Sequence, residues 1–382
     1  MKYAKWAMLA VVTAALLASA CEGSQRNESP TAPQTPETQA ISQAFVIGMI
    51  QAGGSLPLID PLAGVVIGSV DSGYNPEVLL RRTSGQLLVS QTSGPGPAQA
   101  DDPSLAVFDL DDLSSPSAII PMPDRPSFIG SPHSVLSRDE HYLYYARVTS
   151  TCPNGRDAAW CDEWSIGVID LGAGAQVARA EIGLRCRPRI VVDLQAEETA
   201  LVICGDAGRT SEEFEPDSVR LLRIGPDGVA SELGTFPGRR TGTVVFAGMR
   251  ADGTYFAVYG DGAVFDAGGE EAASDLLPEE DGQLFDLNSD AALGSERYLL
   301  EFGSRLNHTT SGVVVLNVAA PEDVRTFEFP FSLEHVHVVP LDERRIALLY
   351  GDGFEVSVLD IETGRVSNAM TLPERVGWLS GG

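Results

Sequence analysis

Residues 131–150 read SPHSVLSRDEHYLYYARVTS, and residues 164–184 read WSIGVIDLGAGAQVARAEIGL. Four short strands are predicted here, at Ser134–Ser137, Tyr142–Val148, Ser165–Leu171 and Gln176–Ile182. Each is a brief β-branched or aromatic run bounded by turn signals. Arg138-Asp139-Glu140 turns the first pair and Leu171-Gly172-Ala173-Gly174 the last. Short Asp- and Gly-containing links of this kind join neighbouring antiparallel strands.

The unit recurs along the chain. A hydrophobic strand ending in Asp or Asn before a turn closes at Asp60, Asp109, Asp170, Asp266, Asn317 and Asp360, with a weaker copy at Asp227. The short side chain accepts a hydrogen bond from a backbone N–H two residues on, which fixes the turn. The markers are spaced by roughly 40 to 60 residues, the length of one four-stranded propeller blade. An inner strand precedes each marker strand by one hydrophobic strand, as in DEHYLYYAR or ERRIALLYG, and a more polar strand such as QVARAEIG follows it. These are strands a, b, c and d of a unit.

The first unit lacks strand a and opens at Ala44–Met49, which matches strand b. Near the C-terminus, Val376–Ser380 reads as an orphan strand a. Pairing the two completes the first blade and removes sheet edges. The expected fold is therefore all-β: a seven-bladed β-propeller of four-stranded antiparallel blades, the first closed by the C-terminal strand. The blades divide at 44–73 with 376–382, 74–125, 126–184, 185–238, 239–281, 282–333 and 334–375. A pair of β-sandwiches is the alternative. No long stretch has a period of 3.6, so almost no helix is expected.

The stretches SPHSVLSRDEHYLYYA and WSIGVIDLGAGAQVARAEIG resemble the YVTN-type propeller repeat. LAVFDLDDLSSPSAIIPM is similar to the LVIVD repeat, whose turn carries a Pro shortly after Asp. The resemblance covers most of 44–382 and implies a fold, not an activity, because propellers host unrelated functions.

The N-terminus has a different character. In MKYAKWAMLAVVTAALLASAC, Lys2 and Lys5 precede an apolar run from Trp6 to Leu17 that is short for a membrane span. Ala18-Ser19-Ala20 then leads to Cys21. Residues 1–20 resemble a bacterial lipoprotein signal peptide, which implies cleavage before Cys21 and acylation of that residue. Residues 21–43 are rich in Ser, Thr, Pro and Gln and bury too little to order themselves. They are expected to form a tether, of which residues 22–40 alone reach about 60 Å when extended, with the propeller domain occupying 44–382. The expected address is the cell envelope, lipid-anchored, with the outer membrane favoured by Glu22 after Cys21 and the body on the periplasmic or surface face.

Charge narrows the partners. The 382-residue chain carries a formal net charge of −27, spread along its length, which argues against nucleic acid. Lys2 and Lys5 are the only lysines, so the body has no Lys for a Schiff base or a phosphate loop.

Several residues are candidates for chemistry. Cys152, Cys161, Cys186 and Cys204 are even in number in an exported chain, which points to two disulfides. Cys152 and Cys161 bracket a loop between strands b and c, and Cys186 and Cys204 flank an a–b hairpin. His335 and His337 alternate on an inner strand and face the same side. Arg125, Arg187, Arg239 and Arg375 sit where strand d passes to strand a, corners that gather at one mouth of a propeller channel. Converging guanidinium groups there suit an anion. Asp286, Asn288 and Asp290 have calcium-loop spacing, but Ala291 and Arg297 fall where that loop needs Gly and Glu. No G-x-S-x-G elbow, haem motif or phosphate loop is present, and no cofactor or metal is expected.

The expectation is a monomeric binding or scaffold protein, membrane-linked through its lipid, that takes an unknown protein or an anionic small molecule at the channel mouth. The alternative is a propeller enzyme or electron-transfer subunit resembling lactonases or the heavy chains of amine dehydrogenases.

Overall fold

The computed structural model describes residues 46–49, 55–71, 77–90, 104–122, 134–150, 162–184, 186–205, 218–238, 244–273, 276–277, 282–286, 292–304, 310–333, 337–350, 353–373, 375–376 and 378–380. Strands β1 (Val46–Met49), β2 (Ser55–Asp60) and β3 (Val65–Asp71) come first. β4 (Glu77–Arg81), β5 (Gln86–Ser90), β6 (Ser104–Asp109) and β7 (Ala118–Pro121) follow. The opening stretch supplies β8 (Ser134–Leu136), β9 (Tyr142–Ser150), β10 (Asp162–Asp170) and β11 (Ala175–Leu184). Next are β12 (Arg187–Val192), β13 (Ala200–Gly205), β14 (Ser218–Ile224) and β15 (Ala230–Pro237), then β16 (Val244–Met249), β17 (Tyr255–Tyr259), β18 (Val264–Asp266) and β19 (Glu271–Ala273). β20 (Gly282–Asp286), β21 (Ala292–Leu293), β22 (Arg297–Ser304), β23 (Thr310–Asn317) and β24 (Val324–Leu333) lead to β25 (His337–Pro340), β26 (Arg345–Tyr350), β27 (Glu355–Asp360) and β28 (Arg365–Thr371). β29 (Trp378–Ser380) ends the described chain.

Among the described residues, six blades are each built from one uninterrupted run of strands, rather than the seven expected. Five pair in simple order: β4 to β7, β8 to β11, β12 to β15, β16 to β19 and β25 to β28. The sixth runs β20-β22-β23-β24, with β21 hooked onto β22. A composite sheet joins chain ends in the order β29-β1-β2-β3. In it Ile47 lies opposite Ser380, Gly48 opposite Leu379 and Met49 opposite Trp378. All pairings are antiparallel, and the fold is an all-β propeller of four-stranded blades.

The opening stretch forms its blade as its pattern predicts, but β9 and β10 are longer. Their ladder continues outward to the pair Asp162↔Ser150, beside the Cys152–Cys161 loop. Cys152 and Cys161 themselves, like Cys21, lie outside the described residues. Cys186 and Cys204 form a disulfide with Cα atoms 4.8 Å apart, which ties the start of β12 to β13.

Middle strands lie between neighbouring blades and are covered on both faces, so they read as unbroken apolar runs. β13 (ALVICG) is buried at every position except Gly205. Outer strands face solvent on one side, as in β11, where exposed Arg179 and Glu181 alternate with buried Ala180 and Ile182. Apolar side chains from adjacent blades interdigitate. Leu56, Leu58 and Val70 of the composite sheet meet Leu80, Leu87 and Val89 on one side. Val46, Ile59 and Leu379 meet Val339, Leu349 and Val356 on the other.

The Asp and Asn markers act at the turns. Asp60 Oδ1 accepts from the N–H groups of Leu62 and Ala63, both at 2.9 Å. Asn317 Oδ1 accepts from Ala319 N–H at 3.0 Å. Asp360 Oδ1 accepts from Glu362 and Thr363 N–H at 3.0 and 2.9 Å. At Asp170 the donor is one residue later, Ala173 N–H at 2.8 Å. The a–b turns use the same device, with Asp139 holding His141 N–H and Asp252 holding Thr254 N–H. Within its own blade Gly312 of β23 has no room for a side chain, since a Cβ would stand 2.1 Å from the Phe327 carbonyl oxygen of β24 and 2.5 Å from the Phe302 ring of β22.

Candidate functional site

Inner strands of successive blades lie side by side: β8 with β12, β16 with β20, β25 with β29, and β29 with β4. They surround a channel. Because they run in the same direction, their a–b turns gather at one mouth and the d-to-a corners at the other.

The a–b mouth contains a cavity of about 350 Å³. Val135 and Leu136 of β8, with Val192 and Leu194 at the end of β12, form an apolar wall. Ser137, Arg138 and Glu140 of one turn, Gly294 and Ser295 of another, and Glu343 of a third make the polar rim. The lining thus comes from four blades.

Hydrogen bonds between blades hold this rim. Glu140, at φ 57° the non-glycine residue in the left-handed region among those described, accepts through its carboxylate from the N–H groups of Arg82 (3.0 Å) and Thr83 (2.9 Å). Arg81 Nε donates to the Glu140 carbonyl at 3.0 Å. Arg82 reaches Pro340 O at 2.9 Å, and Arg138 reaches Leu194 O at 3.1 Å. Arg297 donates to Glu343 O at 2.8 Å and to Glu362 Oε1 at 2.9 Å. Burial pushes the Arg81 guanidinium below its ordinary value, against the pull of Glu140 and Asp139.

Further out, ion pairs link a–b turns to c–d turns. Arg250 binds Asp266 at 2.9 Å in its own blade and Glu322 at 2.5 Å in the next. Arg344 Nη2 lies 2.7 Å from Asp360. The Arg344 hydrogen bond and the Thr363 N–H hold the Asp360 carboxyl far below the usual carboxylate range. Arg250 likewise lowers Glu322. Burial opposes ionisation of Asp342, but Arg345 and the N–H groups of Arg344 and Arg345 outweigh it and the net direction is down.

Residues singled out from sequence fall largely elsewhere. Arg125, Arg239 and His335 lie outside the described residues. Arg187 begins β12, His337 begins β25, and exposed Arg375 precedes β29. These three positions stand toward the mouth opposite the cavity. The cavity rim was not foreseen: Arg138-Asp139-Glu140 read only as a turn. The matching charged turn at 342–345 was the signal available, since two a–b turns of one channel carry it. Among the described residues, no group of three or more His, Cys, Asp or Glu is placed to hold a metal ion.

No family model and no curated protein matches the sequence. Solved structures do. The β-propeller domain of Cps50 (Swd1) from Myceliophteria thermophila aligns with a TM-score of 0.52 at 14% identity, covering 83% of this chain and 93% of that one. AztD from Citrobacter koseri aligns at 0.48 and 13% identity, over 87% and 81% of the two chains. The dihydro-heme d1 dehydrogenase NirN aligns at 0.49 and 12% identity, over 92% and 77%. Such low identities bear on the fold alone, and the neighbours differ in function. The resemblance to YVTN and LVIVD repeats has no matching family model behind it.

The corner carboxylates predict an acid-sensitive structure. Their folded pKa values are depressed, so their stabilisation is complete above the unfolded carboxylate range and fades as pH falls through it. Urea midpoints at about pH 7 and about pH 3 should differ more for the wild type than for Asp360→Asn. Raised salt should shrink that difference, because the pair is exposed.

Proposed function

We propose that the protein is a lipid-anchored binding propeller of the bacterial cell envelope that holds a small ligand in its central channel. Acylated Cys21 is the anchor, residues 21–43 are the tether, and the outer membrane is the favoured address. The cavity of about 350 Å³ at the a–b mouth carries this reading. Its size falls at the low end for small-molecule sites, about 300–1,000 Å³. The wall of Val135, Leu136, Val192 and Leu194 suits an apolar body. Arg138 directs one N–H to Leu194 O, and the remainder of its fork suits a carboxylate. Glu343 on the same rim suits an amine. The matching class is a hydrophobic amino acid or short peptide.

An anion position at the opposite mouth remains part of the proposal. Arg187 and Arg375 both introduce inner strands there, and Arg125 and Arg239 occupy the equivalent corners in sequence. The ring itself is proposed to have seven blades, with the composite sheet as the closing one. β29 lies between β25 and β4, and separate apolar clusters bind the composite sheet to each neighbour.

Calorimetry with L-leucine and the Leu-Leu dipeptide tests the ligand. Heat of binding should appear with at least one of them and vanish in Arg138→Ala and Ser295→Trp. No heat with either from the wild type sinks this reading. Mass spectrometry of the mature N-terminus should find acyl mass on Cys21, and an unmodified Cys21 ends the anchor. Removing residues 376–382 deletes the buried Val376 and Leu379 and should cost at least about 3 kcal/mol by urea denaturation. An unchanged midpoint would overturn closure by β29.

A further inference from the structure

A blade's outer strand is a sheet edge, with a free row of N–H and C=O groups that can template another strand unless charge or Pro discourages it. Most outer strands here carry that protection. β11 has Arg179 and Glu181, β15 has Glu232, β24 has Arg325 and Glu328, and β28 opens with Arg365. The short β7 ends at Pro121. β3, the outer strand of the composite sheet, has no charged residue before its last position, Asp71.

Its side chains are apolar and open to solvent. Val65, Val66 and Ile67 are 45%, 39% and 41% exposed, and Leu62 in the preceding turn is 39% exposed. The β2–β3 ladder shifts register between Leu58 and Ile59, and a Cβ at Gly68 would lie 3.1 Å from Leu113 of the next blade. Acidic residues lie beside the patch: Asp71 ends the strand and the exposed Asp111 and Asp112 precede Leu113, whereas Asp60 before it is buried in its turn.

We propose that the β3 edge docks an extended segment of a partner protein, one with an apolar β-branched centre and Lys or Arg at both ends. The segment adds a further strand outside β3. Main-chain hydrogen bonds supply the pairing, and the exposed carboxylates of Asp111 and Asp112, with Asp71 at the strand end, favour the basic flanks. A second copy of this chain fits poorly. It would bring another net charge of −27. A lipid surface fits poorly too, since the patch offers no cation to phosphate headgroups.

Two labelled synthetic peptides test this by fluorescence anisotropy with the full chain. Lys-Lys-Val-Val-Ile-Gly-Ser-Val-Lys-Lys should bind, more weakly as salt is raised, and the same core flanked by Asp-Asp at each end should not. Val66→Lys and, separately, Val65→Lys should each weaken binding roughly tenfold or more. An unchanged thermal midpoint in either variant shows that the fold is intact. Equal binding of both peptides, no binding of the Lys-flanked one, or binding indifferent to both substitutions overturns the proposal. A concentration-dependent dimer abolished by Val66→Lys assigns the edge to a second copy instead. Co-sedimentation of unacylated protein with phosphatidylcholine vesicles, abolished by the same change, assigns it to a lipid surface. Either result overturns the partner segment.

Discussion

A four-stranded β-sheet has two faces to cover, and the described residues include no helix to cover them. Each blade must therefore bury both faces against other blades. That constraint explains why the middle strands are apolar at nearly every position while the outer strands face solvent on one side. It also explains glycine at Gly234, where a Cβ would stand 2.9 Å from the Ala267 Cβ of the next blade. Sheets that face each other this closely leave no room for an added methyl.

Burial alone does not set where a strand turns. The corners do, through one short acceptor side chain repeated around the ring. Asp60, Asn317 and Asp360 each hold the N–H two residues on, and Asp139, Asp193 and Asp342 do the same at a–b turns. The carboxylate satisfies a turn donor that would otherwise lack a partner. Its second oxygen then becomes available to an Arg. Asp193 shows both uses, accepting from Gln195 N–H through Oδ1 and from Arg223 Nε at 2.6 Å through Oδ2. Local turn chemistry and long-range clamping thus share one residue type.

The fold was legible in the sequence because these corner residues and the middle-strand runs both repeat. The pattern at 131–184 gives its four strands to within a few residues at each end. The disulfide between Cys186 and Cys204 was legible as well, since the two residues flank one hairpin. The cavity was not. Its wall is made of Val135, Leu136, Val192 and Leu194, apolar residues no different in type from any others on inner strands. What brings them into a site is the approach of turns more than 150 residues apart, at 137–140 and 292–295, and no periodicity encodes that. The blade count is a different matter. Six blades are continuous runs, whereas the composite sheet pairs β1 with β29, a pairing the sequence offered through a missing strand at one end and an orphan strand at the other.

Cations are scarce in this chain, with 26 Lys and Arg against 53 Asp and Glu. Their placement therefore carries information that an abundant residue's would not. Most described arginines near the a–b mouth are committed to carboxylates: Arg223 to Asp193, Arg250 to Asp266 and Glu322, Arg297 to Glu362, Arg344 to Asp360, and Arg345 to Asp342. These pairs are partly exposed and individually modest, but as links between corners they limit how far neighbouring turns can separate. Arg138, like Arg81 and Arg82, donates instead to a backbone carbonyl, Leu194 O, and of these three it lines the cavity. It shares the rim with Glu140 and Glu343, in a protein whose overall field is strongly negative. That field repels anions in general, so an anion drawn to this mouth must be held by local geometry. The fixed position of Arg138, set by the turn it shares with Glu140 and by the β12 end it grips, provides such geometry.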